Sequence, residues 1–409
     1  MSDGNEIGQA VKAIRRRRGM KQETVAGLAG LTKGYISLIE NGKRRVDSRG
    51  LLDRLAHALG CSVLDLTGEP YAPMHRHVAD ALRTVPDVQL ALADCTLDDV
   101  PDLPARPLAA LREPLRIAHA NYMDKARYDL AGLGLGRLLT DLHIHAVTGD
   151  SDTRREAMGL LVEGCIVAFG VTKNVGHPDL ALTAAGRGYE AALKSGDPAL
   201  LAFAAQRRGQ AFQRVGAVRR AGRELERALA ETVDLADPSN SDTRIAEGVG
   251  LLHLTAALNA ARGGDASAAH DHLQAADELA TWTGERNALA QHFGPANLGV
   301  WRISVLGVEL KEGAAVADAV APTINVADLA SADRVAMLNA DSARALALEG
   351  GPRDLDAVRM LDAADRAAPS RVRQDPVLRE LVSTLDSRAP RRTWELNSLR
   401  NRFGLVYNQ

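Results

Sequence analysis

Aromatic residues make up only 3% of this 409-residue chain. Strand-favouring β-branched residues are few beside Ala, Leu, Arg, Asp and Glu, so the palette favours helices. No run of about 18 apolar residues occurs, which argues against a transmembrane helix. Met1–Gln9 has no apolar stretch, so no signal peptide is expected. The three cysteines, Cys61, Cys95 and Cys165, stand far apart. That spacing excludes a disulfide framework or a CxxC zinc site and fits a reduced cytoplasmic protein. At 46% hydrophobic residues the chain is not broadly disordered. Its length allows two to four domains at about 100–200 residues each.

Charge is present but unevenly spread. Residues 1–68 hold 12 Lys/Arg and 7 Asp/Glu, a balance of +5 in a chain of net −2. A small basic head on a large acidic body suggests that only the head meets a polyanion. The head has no apolar anchor for a membrane surface, and its size suits a nucleic-acid module.

Seven of the 16 prolines fall between Pro70 and Pro114. That density predicts a linker over 69–113 with short helical pieces, such as Val88–Asp94, instead of one long helix. From residue 114 to 409, Ala/Leu-rich segments alternate with turn signals, among them Thr148–Asp150, Gly176–Pro178, Ser195–Pro198, Gly263–Asp265 and Gly350–Pro352. Short turns favour antiparallel helical neighbours. Asp242, Asp265 and Asp328 stand at expected N-caps. The Gly-Asp turns at Gly196 and Gly264 lie 68 residues apart, about twice a ~34-residue tetratricopeptide period. The expectation is an all-α chain: a five-helix head, then a degenerate helical repeat body with a concave binding surface.

Gln22–Asn41 reads QETVAGLAGLTKGYISLIEN. A helix-turn-helix needs a small residue where its helices cross, a turn residue tolerant of positive φ, and apolar residues facing inward from both helices. Ala26 and Gly30 fill the first two roles. Val25, Ala29, Leu31, Ile36 and Ile39 form the inward set, and Thr32 can cap the second helix.

These residues resemble the phage-repressor-like, xenobiotic-response-element family of DNA-binding domains. The resemblance rests on Ile7–Arg18, Gln22 and Ala26, Gly30-Leu31-Thr32 and Ile36, Glu40-Asn41-Gly42-Lys43-Arg44, then helices at Ser48–Leu59 and Val63–Leu66. It covers nearly all of residues 5–68. It implies a five-helix head whose second motif helix enters the major groove, with Gln22 on a phosphate. Helical geometry turns Gly34, Ser37, Leu38 and Asn41 away from Ile36 and Ile39, with Lys33 beside them. Lys33 can donate to guanine and Ser37 can bond either way. Leu38 replaces the family's frequent Gln and can touch only a thymine methyl. Tyr35 is expected on a phosphate or packed on the head. Lys43, Arg44 and Arg45 are expected on the backbone. The run Arg15–Arg18 reads most simply as a solvated face at a helix C-terminus.

One head contacts about half a site, so a homodimer on double-stranded DNA is expected. The body resembles the tetratricopeptide-like region of actinomycete regulators of the same family, through Arg127–Leu142, Gly176–Gly186, Gly196–Pro198, His292–Arg302 and Val377–Val382. More distantly it is similar to peptide-pheromone receptor regulators, in which inward Asn side chains grip a peptide. That likeness implies Asn259, Asn297 and Asn339 as ligand contacts for a peptide or small-molecule effector. A Trp–His–Asn grouping at His292, Asn297 and Trp301 marks the expected pocket.

Enzyme signatures fail, and no catalytic, cofactor or metal residue is expected. The GLGLG at Gly132–Gly136 follows a helical pattern with no strand before it, unlike a dinucleotide loop. The H-x-H pairs His75/His77, His143/His145 and His270/His272 diverge by about 200° on a helix, so they read as exposed helix histidines. The leading expectation is a cytoplasmic transcription regulator with a sensing body. The rival is a protein-interaction module whose body grips a partner protein while the head localises it to DNA. An antitoxin-like role conflicts with so long a body.

Overall fold

Helix-favouring composition and frequent capping residues yield a chain in which all described regular structure is helical. The computed structural model describes residues 6–44, 46, 49–59, 66, 76–237 and 242–405. Contacts divide the chain into one unit of Met1–Met74 with Leu405–Gln409, and a second of His75–Gly404.

The head contains α1 (Glu6–Arg17), α2 (Gln22–Leu28), α3 (Lys33–Glu40) and α4 (Arg49–Leu59). Of the expected fifth helix, only Leu66 lies within the described residues, where it is helical and buried. Ile7, Val11 and Ile14 recur at helical spacing on α1 and turn to a core of Val25, Ala26, Ala29, Ile36, Ile39, Leu51, Leu55 and Leu59. Complete burial of a side chain such as Ile36 contributes about 2–3 kcal/mol. Gly30 makes the turn with φ +65°, and Leu31 N donates to Ala26 O at 2.8 Å across it. Gly8 lets α1 approach α3 closely: a Cβ there would lie 2.2 Å from the Ile39 carbonyl oxygen.

The second unit opens with a departure from expectation. Residues Arg76–Asp94 form one 19-residue helix, α5, with Pro86 inside it. An interior proline costs about 3 kcal/mol. Burial of Val78, Ala81, Val85, Val88, Ala91 and Leu92 against the body offsets that cost. The following loop is likewise tied down, because Arg106 Nε meets Asp141 Oδ2 at 2.6 Å and Arg137 donates to Pro104 O at 2.6 Å. From residue 76 onward the proline-rich stretch is therefore body surface. The small residues of GLGLG serve this packing: a Cβ on Gly136 would lie 2.4 Å from Asp87 O of α5.

Next come α6 (Arg112–Met123), α7 (Tyr128–Gly132), α8 (Leu135–Thr148), α9 (Ser151–Asn174), α10 (Pro178–Ser195), α11 (Pro198–Arg214), α12 (Val218–Thr232), α13 (Arg244–Arg262) and α14 (Ala266–Thr283). After α15 (Pro295–Arg302) a π-helical stretch, Ile303–Glu309, continues the element. The chain ends in α16 (Ala314–Val320), α17 (Val326–Leu329), α18 (Ala332–Glu349), α19 (Arg353–Ala367), α20 (Pro369–Val372), α21 (Pro376–Arg388) and α22 (Trp394–Arg402). From α9 to α14 each helix packs on its chain neighbour. α9 also packs on α11, and α11 on α13. This pattern of neighbour and next-but-one contacts is tetratricopeptide-like.

The turn signals act through specific caps. Asp150, Asp197, Asp265 and Asp375 accept from the first-turn amides of α9, α11, α14 and α21. Two expected caps differ. Asp328 lies inside α17, whose N-cap is Asn325. Thr243 occupies the N-cap of α13, while Asp242 accepts from Arg244 N at 3.1 Å and grips that arginine's side chain. Among the described residues, no helix is long and apolar enough to cross a membrane.

Candidate nucleic-acid interface

Helix α3 begins where Thr32 Oγ1 accepts from Tyr35 N at 3.2 Å. Ile36 and Ile39 anchor one face in the core. Lys33, Gly34, Leu38 and Asn41 are exposed on the other, and Ser37 is half-buried. The helix closes where Lys43 N donates to Leu38 O at 2.9 Å. Tyr35 is half-buried and packs on the head, with the Arg44 guanidinium 4.2 Å from its ring centroid. Lys43 and Arg44 are exposed at the helix end, and Arg45 lies outside the described residues.

Two outward side chains are already engaged. Asn41 Nδ2 donates to Ser37 O at 2.8 Å and meets Ser37 Oγ at 3.4 Å, so it supports the last turn of α3. Lys33 Nζ lies 2.6 Å from Glu23 Oε1, with both side chains largely exposed. The hydrogen bond and charge of Lys33 hold the Glu23 carboxyl below its ordinary range. An exposed pair of this kind is screened by solvent and contributes little, so Lys33 can leave it for a stronger anion.

Glu40 is 1% exposed at the end of the inward face of α3. A carboxylate there requires donors. Arg15 supplies two, Nε to Oε1 at 2.5 Å and Nη2 to Oε2 at 2.8 Å, and Gln22 Nε2 adds a third at 2.8 Å. Burial alone would raise the Glu40 carboxyl; these hydrogen bonds and the Arg15 charge overcome it and hold the pKa below the usual value. Arg15 also donates to Met20 O at 2.9 Å. One reading is thereby corrected: Arg15 is a half-buried strut instead of part of a solvated run. Gln22, expected on a phosphate, spends an amide hydrogen inside the head. The signal for Arg15 was present: Glu40 follows the inward Ile36 and Ile39 at helical spacing, and Arg15 lies one turn beyond the buried Val11.

Of the body residues expected to share a pocket, Asn297 and Trp301 lie one turn apart on α15. Trp301 is 8% exposed and lines a cavity of about 240 Å³. Asn259, His292, Asn297 and Asn339 are not in its wall. His292, with φ +53°, has Nε2 2.9 Å from Asp124 Oδ1. Asn339 donates to Val335 O at 2.8 Å, and Asn259 Oδ1 accepts from Gln213 at 3.4 Å. Asn297 is buried, and its Oδ1 has no hydrogen-bond partner. Of the H-x-H residues, His77 and His270 are exposed as expected and His145 is half-buried, while His143 and His272 depart from the exposed reading. His143 is fully buried between Leu139 O at 2.7 Å and Arg187 at 2.8 Å, and His272 meets His253 at 3.0 Å. His75 lies outside the described residues.

The fold and this surface define a helix-turn-helix head carried on an all-helical, tetratricopeptide-like body. Residues 6–67 match the family model described as a helix-turn-helix domain. A competence pilus inhibition repressor from Acinetobacter baylyi is 40% identical over 58 residues, which is 14% of this chain and 52% of the repressor. The chain thus spans about half the length of that curated relative. Among solved structures, the chain is similar to Bacillus thuringiensis PlcR in complex with the peptide PapR7 and DNA. The identity is 13% and the TM-score 0.33, covering 67% of this chain and 94% of that one. It is also similar to the apo competence regulator ComR of Streptococcus vestibularis. There the identity is 14% and the TM-score 0.21, covering 68% and 92%.

Proposed function

We propose that the protein is a cytoplasmic, sequence-specific DNA-binding transcription regulator and not an enzyme. Its α3 enters the major groove of double-stranded DNA. The carrying observation is the division of α3: Ile36 and Ile39 are buried while Lys33, Gly34 and Leu38 stand outward from a helix capped at Thr32. Lys33 leaves Glu23 and donates to a base, Ser37 bonds a base edge, and Leu38 packs on a thymine methyl. Lys43, Arg44 and Arg45 meet phosphates and set the salt dependence. Gln22 still has a second amide hydrogen for a phosphate, and Thr32, Gly34 and Tyr35 bring the backbone close. Asn41 acts by fixing the end of α3.

Two heads acting as a homodimer read a pseudo-palindrome with half-sites about one turn apart. The body senses a peptide or small molecule that binds two states of the protein unequally and so shifts operator affinity. Selection of bound duplexes from a random pool tests the reading. Enrichment of paired half-sites at about 34–36 Å separation supports it; recovery of unenriched sequence with salt-dependent affinity alone contradicts sequence-specific readout.

A further inference from the structure

Two cations of the body have no carboxylate in direct contact among the described residues. The cavity of about 240 Å³ is bounded by α6, α9, α11, α13, α15, α18, α20 and α21, and seven of its lining residues are Lys or Arg against three Asp. Most of these arginines are paired. Asp333 bonds Arg334 and lies 3.4 Å from Arg371, which also meets Asp375 at 3.1 Å. Lys173 and Arg207 are different. Among the described residues neither has a carboxylate within 4.0 Å. The Lys173 ammonium lies 5.1 Å from the Phe169 ring centroid. Arg207 is 7% exposed and donates to Gln210 at 2.9 Å, while its Nε–H has no partner. Trp301 Nε1–H, on the same wall, is likewise buried and unpartnered.

A buried cation without a counter-charge is costly, and so is a buried donor without an acceptor. Here buried Arg207 and half-buried Lys173 line one half-open cavity, and Trp301, with its own unpartnered donor, shares the wall. Burial, and then the neighbouring Arg371 charge, push the Lys173 ammonium well below its ordinary pKa.

We infer that this cavity binds a compact anion bearing phosphate or carboxylate groups, held by Lys173 and Arg207 and by the Trp301 indole N–H. Asp333 and Asp375 hold Arg334 and Arg371 in place around it, and the guanidinium forks suit either anion. The site deepens the sensing half of the proposed function and rests on that reading for its effect on DNA. Binding itself is measured without DNA, so the two can fail separately.

The test is calorimetric titration of the full-length protein with inorganic pyrophosphate and, separately, with citrate. Glucose is the neutral control. One-to-one binding of either anion with a Kd below about 1 mM, and none of glucose, is expected. Preference for pyrophosphate assigns a phosphate ligand and preference for citrate a carboxylate one. Lys173→Met and Arg207→Met are expected to weaken binding at least about tenfold, while the exposed Arg359→Ala leaves it unchanged. Lys173→Met is also expected to melt no lower than the parent in the absence of anion, because it removes an uncompensated charge. Three results overturn the inference: neither anion binding below about 1 mM, the Lys173 and Arg207 variants binding like the parent, or Lys173→Met melting below the parent.

Discussion

Arg15 and Glu40 form a two-point ion pair that ties the last turn of α1 to the last turn of α3, at 2.5 and 2.8 Å. The pair fixes α3, the helix proposed to read DNA, without itself facing outward. Removing the Glu40 charge leaves the half-buried Arg15 guanidinium uncompensated. Glu40→Gln is therefore expected to destabilise the head by about 3 kcal/mol, as read by chemical denaturation of the full chain with a probe in the head. The pH dependence has a defined sign. Because the folded-state pKa of Glu40 is lowered, its contribution is present above about pH 4.3 and is lost as pH falls through the lowered value. A Glu40→Gln head as stable as the parent would show that the strut carries no load.

Burial pushes His119 and His143 down to about 4; the charges of Arg207 and Arg187 respectively push the same way. Both are neutral in the folded body near pH 6, whereas the unfolded chain binds protons below about 6.5. The unfolded state thus holds more protons between about 6.5 and 4, and body stability falls across that window as pH drops. The loss is on the order of 3 kcal/mol per histidine by pH 4. Urea denaturation of the parent and of His143→Gln at pH 7, 6, 5 and 4 measures it. A parent midpoint independent of pH would contradict these buried neutral imidazoles.

Lys33 is paired with Glu23 at 2.6 Å across the surface proposed to meet DNA. Binding must dissolve that contact and bring the Glu23 carboxylate near phosphates. Glu23→Gln is expected to tighten duplex binding by roughly 3- to 10-fold at low salt, with a smaller gain at high salt. Fluorescence anisotropy at two salt concentrations reads the difference. Unchanged affinity would place Glu23 away from the DNA.

Much of this was legible in sequence because it depends on local rules. Ala26, Gly30, Thr32, Ile36 and Ile39 occupy their roles as spacing alone demands. The Gly-Asp turns end and restart helices where short-range capping chemistry places them. What escaped depends on contacts distant in sequence. Pro86 marks a break by local rules, yet packing of α5 on the body keeps the helix whole. Arg15 and Glu40 are 25 residues apart, and nothing local pairs them. Lys173 and Arg207, 34 residues apart, come together only through folding.

The most direct measurement is base preference at selected duplexes for the parent, Lys33→Ala, Ser37→Ala and Arg44→Ala, each titrated with salt. Lys33→Ala and Ser37→Ala are expected to relax preference at defined positions, costing about 1–3 kcal/mol on the preferred site. Arg44→Ala is expected to weaken all duplexes alike and to lower the salt slope by about one. If all three variants lost affinity uniformly with preferences intact, or bound like the parent, α3 would not be the element that reads DNA.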